Sequence, residues 1–135
     1  MTNNASPELL RVIDANLNRL KEGIRVIEDF ARYGQDDAAL ASRLKTLRHQ
    51  SRIDTTSALL HSRDSENDVL RPTMPSELQR ESIGDILAAN YKRAQESARV
   101  LEEMYKIIDP RLSETFKQTR YELYTLEKEH LLSFE

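Results

Sequence analysis

Apolar residues recur with helical spacing along most of the chain, and no segment shows the strict alternation of a half-buried strand. The apolar stripes predict four helices, and each is bounded by start and stop signals. The helices are expected over about 7–33, 37–61, 77–108 and 110–132. Their boundary signals are Ser6-Pro7, Gly34, Asp36, the capping pair Ser76 and Gln79, and Asp109-Pro110. The fold class is therefore all-α.

One long helical segment occurs twice. Residues 15–28 read ANLNRLKEGIRVIE and residues 89–102 read ANYKRAQESARVLE, so seven positions recur at an offset of 74. A weaker similarity follows in the second helix of each copy, where LKTLR at 44–48 corresponds to FKQTR at 116–120. Such a repeat determines the architecture. It predicts a four-helix bundle with pseudo-twofold symmetry, as one domain over 1–135 with repeat units of about 6–62 and 76–132 and a connecting loop of about 62–79.

On a helical wheel, an asparagine lies in the middle of the apolar stripe of each copy: Asn16 in the first and Asn90 in the second. The apolar residues within about 80° of Asn16 are Val12, Ile13, Leu20, Ile24, Val26, Ile27 and Phe30. A buried amide is costly unless its hydrogen bonds are met. An arginine at the edge of the stripe, with a glutamate beyond it, would meet some of them, and so would a ligand. These neighbours are Arg19 and Glu22 in one copy and Arg93 and Glu96 in the other.

Composition excludes several classes of function. Cysteine is absent, which removes disulfides, thiolate nucleophiles and cysteine-based zinc sites and fits a cytoplasmic location. The first residues do not resemble a secretory signal, and no apolar run approaches the roughly 18 residues of a membrane span. The net charge of -3 gives no argument for a nucleic-acid partner. Arginine nevertheless outnumbers lysine 14 to 6, and its fixed donor fork suits carboxylates and phosphates.

Standard nucleotide-binding and nucleophile motifs are missing from the sequence. The three glycines are isolated, and the three histidines have no metal-ligand spacing. What remains is an array of arginine, asparagine and carboxylate residues from both copies and the long loop. It comprises Asn16, Arg19, Glu22 and Arg25, then Arg63, Asp64 and Asp68, then Asn90, Arg93, Glu96 and Arg99, with Arg48 and Arg120 on the second helices. Such a set suits an anionic ligand held by arginines and a divalent cation held by aspartates.

Structural roles would explain many of the same residues. The glutamates and arginines spaced three apart on a helix would form surface ion pairs worth a few tenths of a kcal/mol. These pairs are Glu22 with Arg25 and Glu96 with Arg99. The two asparagines would fix helix register, as buried asparagines do in coiled coils.

The array lies within longer stretches that together form a recognisable pattern. The first stretches are DANL at 14–17, Arg19, Glu22, RVIE at 25–28 and LR at 47–48. The later ones are Arg63-Asp64, Asp68-Val69, Asn90, Arg93, Glu96, RVLEE at 99–103, FKQTRY at 116–121 and YTLE at 124–127. Over nearly the whole chain, this pattern resembles the small helical hydroxymethylpyrimidine-phosphate kinase family of thiamine biosynthesis, which occurs alone or fused ahead of thiamine-phosphate synthase. One departure is Leu70, which stands where that family usually has a glycine.

The resemblance implies transfer of the γ-phosphoryl group of ATP to 4-amino-5-hydroxymethyl-2-methylpyrimidine phosphate, with Mg²⁺ as the metal. The acceptor oxygen is already anionic, so positioning and charge neutralisation would suffice without a strong base. The phosphate-holding catalytic candidates are Arg19, Arg63 and Arg93, followed by Arg48 and Arg120 as binding candidates. Asp64 and Asp68 would hold Mg²⁺. Asn16 or Asn90 would read the edge of the aminopyrimidine ring, and Glu22 and Glu96 join them as substrate-binding candidates.

Two other classes of protein stay open at this point. A chorismate-mutase-like helical enzyme would also place arginines towards a bundle core, but it would need neither ATP nor a metal. A non-catalytic helical interaction domain would have an exposed apolar stripe and a dry core around both asparagines. The sequence also leaves open whether one or both copies bind ligand, and whether the chain is a monomer or a homo-oligomer that completes its site with a partner.

Overall fold

The computed structural model describes residues 5–53 and 57–135. Over those ranges it contains five α-helices and no β-strand, which confirms the all-α prediction. The helices are α1 (Pro7–Asp29), α2 (Ala38–Gln50), α3 (Ser57–Ser62), α4 (Ile83–Ile108) and α5 (Pro110–Leu132). A π-helical turn (Phe30–Gly34) extends α1, and a 3-10 turn (Pro75–Leu78) lies in the connection before α4.

Two helices begin where their capping signals predict. Ser6 Oγ accepts a hydrogen bond from the backbone N–H of Leu9 at 3.2 Å, with proline following as the first residue of α1. Asp109 Oδ1 accepts a hydrogen bond from the backbone N–H of Arg111 at 3.0 Å, which caps α5. Each cap satisfies a backbone donor that has no partner inside its own helix.

The turn between α1 and α2 differs from the prediction in one residue. The first helical run ends at Gly34 as expected, and an added Cβ there would lie 2.6 Å from the Phe30 ring, so a larger residue would have to displace that ring. Asp37 caps α2 instead of Asp36, since Asp37 Oδ1 accepts from the backbone N–H of Leu40 at 3.0 Å. Asp36 has a φ of 51°, a left-handed conformation that reverses the chain direction before the cap.

The predicted single helix over 37–61 is wrong, because α2 ends at Gln50. The Ser51 hydroxyl donates to the carbonyl oxygen of Leu47 at 2.9 Å, and the Ser51 backbone N–H shares the same acceptor at 3.1 Å. A serine hydroxyl that bonds back to the carbonyl four residues earlier slightly destabilises a helix and often bends it. The chain becomes helical again in α3, and residues 54–56 of the predicted helix lie outside the described residues.

The predicted start of α4 after Ser76 is also wrong. Pro75 opens a separate 3-10 turn, and α4 begins at Ile83 with Ser82 as its N-cap. The connection between α3 and α4 therefore covers 63–82. Leu70, at the position of the family's glycine, does not have a left-handed backbone, and its side chain is 82% exposed. The larger side chain thus fits this loop without a strained φ.

The two long helices, α1 and α4, form the centre of the molecule, while α2 packs on α1 and α5 packs on α4. The central pair approaches closely at Gly23, where an added Cβ would lie 3.3 Å from the carbonyl oxygen of Asn90. Leucine and isoleucine side chains fill the core together with the fully buried aromatic residues Tyr91, Tyr105 and Phe116. This arrangement is the predicted bundle of two helix-helix units.

The buried face of α1 is displaced from the face that the helical wheel predicts. Ile13 and Ile24 are fully buried, which places the centre of this face about 60–80° from Asn16. Val12 and Val26 lie on the opposite side of Asn16 and are 38% and 41% exposed. Asn16 is therefore buried at the edge of the core face and not at its middle, next to a surface that a ligand can reach.

The two copies of the repeated sequence form the same contact between their helices. Arg48 Nε and Nη2 donate to the two carboxylate oxygens of Glu28 at 2.5 and 3.0 Å. Arg120 Nε and Nη2 donate to Glu102 Oε1 at 3.0 and 2.9 Å. Both glutamates are buried and occupy matching positions in the repeated segment. Each copy thus joins its long helix to its second helix through the same buried ion pair.

A polar chain links α4, α5 and the turn after α1. The His130 ring near the end of α5 lies 2.8 Å from the Tyr91 hydroxyl through Nδ1 and 2.7 Å from Gln35 Oε1 through Nε2. Burial lowers the pKa of His130 below its usual range, so the neutral ring is favoured.

Among the described residues, no helix combines the length and apolar character needed to span a membrane.

Candidate active site

A cleft of about 660 Å³ lies between α1 and the loop that follows α3. It brings together five of the predicted site residues, which come from two separate parts of the sequence: Asn16, Arg19, Arg63, Asp64 and Asp68. The other residues that line it are Arg11, Val12, Asp14, Ala15, Asn18, Ser65, Asn67 and Val69. The first repeat and the long loop therefore form one site.

An ion pair between Asp14 and Arg63 anchors the loop to α1. Arg63 Nε and Nη2 donate to Asp14 Oδ2 and Oδ1 at 2.6 and 2.7 Å, in the two-point geometry typical of strong Arg–carboxylate pairs. Asp14 is buried, while the Arg63 side chain is 40% exposed. The pair uses two of the five N–H donors of the guanidinium, so three remain for a ligand in the cleft.

The buried amide of Asn16 has one of its polar groups already satisfied. Its Nδ2 donates to the carbonyl oxygen of Val12 at 2.9 Å, and Asn90 Nδ2 donates to Ile86 in the same way at 2.8 Å. Among the described residues, neither side-chain Oδ1 has a hydrogen-bond donor. In the first copy this acceptor lies beside the cleft, where an amino group of a ligand would satisfy it.

Two arginines along the cleft have no partner among the described residues. Arg19, a predicted catalytic residue, is exposed and forms no ion pair there. Arg11, two helical turns earlier, has the same properties. Because they flank the stretch that contains Ala15 and Asn18, their charges are available to an anion in the cleft.

The two predicted metal ligands form turns within the loop. Asp64 accepts hydrogen bonds from the Asn67 side chain at 2.9 and 3.1 Å, and Asp68 Oδ1 accepts from the backbone N–H of Leu70 at 2.9 Å. Each carboxylate oxygen has two lone pairs, so these bonds leave acceptor capacity on both aspartates. Within 5–53 and 57–135, no three histidine or acidic side chains converge on a common metal position.

The second copy has no equivalent of this loop anchor. Arg93 and Glu96 of α4 are exposed and form no ion pair with another described residue. At the position that corresponds to Asp14 in the repeat, the second copy has Ala88, which has no carboxylate for an arginine to bind. The pseudo-symmetry of the helices therefore does not extend to the residues that anchor the loop.

The remaining predicted binding residues lie elsewhere. Arg48 and Arg120 each bind the buried glutamate of their own copy. Burial alone would raise the pKa of Glu28, but the hydrogen bonds and the charge of Arg48 outweigh this effect and lower the pKa. Glu22 lines a second, smaller cleft together with Arg48.

The predicted ion pairs between residues three apart do not form, because the arginines bind later carboxylates. Arg25 pairs with Asp29, and Arg99 pairs with Glu102 and Glu103. Within the described ranges, Glu22 and Glu96 are left without an ion-pair partner.

Sequence reasoning missed Asp14 and Arg11 as site residues. Both lie away from the apolar stripe, where a charged residue is usually only solvated. A signal for Arg11 was its spacing, because Arg11, Ala15 and Arg19 are four residues apart and share one face of the helix. A signal for Asp14 was the difference between the copies, since Ala88 replaces it.

The fold and the site define an all-helical protein in which a cleft lined by arginines and aspartates lies on a repeated pair of helices. The chain belongs to the ThiD2 family, whose model matches residues 11–129.

Curated relatives of the chain are longer than it is. The thiamine-phosphate synthase of Thermosynechococcus vestitus is 42% identical over 121 residues, which cover 89% of this chain and 34% of that protein. Proteins of the same name from Nostoc punctiforme and Gloeobacter violaceus are 42% and 39% identical, over 87% and 88% of this chain and 34% and 35% of theirs. The chain thus spans about a third of the length of these relatives. No solved structure shows significant similarity to it.

Proposed function

We propose that this chain is a kinase of thiamine biosynthesis that transfers the γ-phosphoryl group of ATP to 4-amino-5-hydroxymethyl-2-methylpyrimidine phosphate. The product would be the pyrimidine diphosphate. The observation that carries the proposal is the cleft, in which a buried amide, unpaired arginines and two aspartates meet. Family membership and the name of the longer relatives support the assignment to thiamine biosynthesis.

The cleft offers complementary groups for each part of the acceptor. The free Oδ1 of Asn16 would accept a hydrogen bond from the ring amino group. Val12 and Val69, both exposed along the cleft, would contact the ring and its methyl group. Arg19 and the free donors of Arg63 would hold the phosphate oxygens.

The aspartates of the loop fit Mg²⁺ as it usually binds in phosphoryl-transfer enzymes. Mg²⁺ retains several waters and takes one or two carboxylates, with substrate phosphates completing its octahedron. Asp64 and Asp68 supply two carboxylates on one wall of the cleft. When bound, the ion would neutralise charge on the nucleotide phosphates.

The reaction itself needs little from the protein beyond placement. An anionic oxygen of the acceptor phosphate attacks the γ-phosphorus, a new P–O bond forms, and the bond to the β-phosphate oxygen breaks as ADP leaves with the electron pair. No proton has to be removed from the attacking oxygen. Arg19 and Arg63 would therefore act by holding two anions together against their repulsion.

The test is ADP release from purified protein, followed with and without the pyrimidine phosphate. We expect ADP formation to depend on the acceptor and on Mg²⁺. Arg19→Ala should lower kcat/KM by about 10²-fold or more, since one charged contact to the transferring group is commonly worth that much. Acceptor-independent ADP release, or an Arg19→Ala variant with unchanged kcat and KM, would contradict the proposal.

A further inference from the structure

A second cleft of about 330 Å³ lies beside the first, between α1 and the end of α2. Four of the side chains that line it are lysine or arginine, one is histidine, and one is acidic. The lining residues are Asn18, Lys21, Glu22, Arg25, Arg48, His49 and Arg52. On a chain whose net charge is -3, this is a local concentration of positive charge.

Only part of this charge is used by the fold. Arg48 is neutralised by the buried Glu28, and Arg25 pairs with Asp29 at 3.1 Å. Lys21 and Arg52, in contrast, have no carboxylate partner among the described residues. Basic side chains near the C-terminal end of a helix also interact favourably with the helix dipole. That effect accounts for His49 and Arg52 near the end of α2, but not for Lys21, which lies in the middle of α1.

Asn18 lines both clefts and marks the place where they meet. Arg19 follows it in the first cleft, while Lys21 and Arg25 extend along α1 in the second. Arg25 comes seven positions after Asn18, which corresponds to about 10 Å along the helix axis. An extended chain of phosphates lying along this length would meet a cation at each turn and end beside the first cleft.

We propose that the second cleft binds the polyphosphate of the nucleoside triphosphate, with its terminal phosphate at Asn18. This assignment rests on the proposed function and divides the two substrates between two clefts. Lys21 and Arg52 would hold the phosphates that remain on the nucleoside diphosphate. Asn18 would donate its amide N–H to the phosphoryl group as it passes from the leaving oxygen of the nucleotide to the acceptor oxygen in the first cleft, with one P–O bond formed and one broken.

The experiment measures the Michaelis constants of both substrates in Arg52→Ala and Lys21→Ala. We expect KM for ATP to rise about tenfold or more in each, because a charge-assisted contact is lost, while KM for the pyrimidine phosphate changes less than about twofold. Arg11→Ala should give the reverse pattern. Arg111→Ala and Lys117→Ala are matched controls, since both residues are exposed on α5 and form no ion pair with another described residue.

A binding measurement separates this inference from the proposed function. Inorganic tripolyphosphate is titrated calorimetrically into the wild-type protein and the Arg52→Ala and Arg111→Ala variants, without any pyrimidine. We expect binding to weaken about tenfold in Arg52→Ala only. If the wild type turns over but Arg52→Ala keeps the wild-type KM for ATP and affinity for tripolyphosphate, the second cleft is not the nucleotide site. If the wild type binds tripolyphosphate through Arg52 but never forms ADP, the kinase proposal fails while the polyphosphate site stands.

Discussion

Replacing Arg48 with alanine tests whether the repeated arginine of the second helices stabilises the fold. In the native protein, Arg48 makes two hydrogen bonds to Glu28, and the two side chains are 18% and 2% exposed. The variant would leave the Glu28 carboxylate buried with no guanidinium beside it. An uncompensated buried charge destabilises the native state more than the loss of a favourable contact does.

The expected size of the effect follows from this burial. Removing one partner of a buried ion pair costs about 3–5 kcal/mol, whereas an exposed pair is worth about 0.2–1 kcal/mol. Because part of the Arg48 side chain reaches solvent, we expect about 3 kcal/mol, at the lower end of the buried range. For a chain of this size, that corresponds to a decrease in Tm of about 10 °C.

Urea unfolding of four proteins measures the effect: the wild type, Arg48→Ala, Glu28→Gln and the double variant. Glu28→Gln removes the buried charge, so the double variant should be more stable than Arg48→Ala alone. Arg111→Ala, on an exposed face of α5, is the matched control and should change stability by less than about 0.5 kcal/mol. A loss below about 1 kcal/mol in Arg48→Ala, or no coupling between the two substitutions, would refute the structural role.

Three further predictions concern the site and the pH dependence of stability. Arg93→Ala, in the copy that lacks the loop anchor, should keep kcat/KM within about threefold of wild type, while Arg19→Ala should lose about 10²-fold or more in the ADP-release assay. Asp14→Ala should raise KM for the pyrimidine phosphate by about tenfold and increase proteolytic cleavage of the loop, because Arg63 loses its anchor. Stability should fall as pH decreases below about 6.5, because the unfolded chain binds a proton at His130 more readily than the buried ring does.

Each of these predictions has a control and a contradicting result. Equal losses in Arg19→Ala and Arg93→Ala would show that both copies serve catalysis. Unchanged KM and proteolysis in Asp14→Ala would show that the loop needs no anchor. For the pH effect, His130→Gln should reduce the slope of unfolding free energy just below about pH 6.5, and an unchanged slope would assign the effect to other groups.

The helical fold could be predicted from the sequence because local signals and tertiary packing agree over most of the chain. Ser6 and Asp109 cap helices where they are expected, and the repeat identifies the pairs of helices that contact each other. The end of α2 could not be predicted, since no glycine or proline marks it and Ser51, which bonds back to Leu47, is a residue that helix interiors also contain. The start of α4 depends similarly on a 3-10 turn at Pro75 that no periodicity reveals.

The candidate site could be predicted in its parts but not in its assembly. The asparagine of each copy was visible as a polar residue in the middle of an apolar stripe, and the arginine as a charged residue at the edge of that stripe. Only the folded chain shows that Asp14 anchors the loop at Arg63, because this pair joins residues 49 positions apart. The sequence also could not show that Arg48, a candidate ligand-binding residue, pairs with Glu28 inside the fold. Binding an anionic ligand and pairing with a buried glutamate both require the same positive charge.

The central claim is most directly tested by following phosphorus NMR spectra of the wild-type protein mixed with Mg-ATP and 4-amino-5-hydroxymethyl-2-methylpyrimidine phosphate. The kinase proposal predicts that the resonance of the pyrimidine monophosphate is replaced by two coupled resonances of a diphosphate, in step with the conversion of ATP to ADP. The same mixture with Arg19→Ala should react about 10²-fold more slowly. Persistence of the monophosphate resonance, or formation of inorganic phosphate in place of the diphosphate, would contradict the proposal.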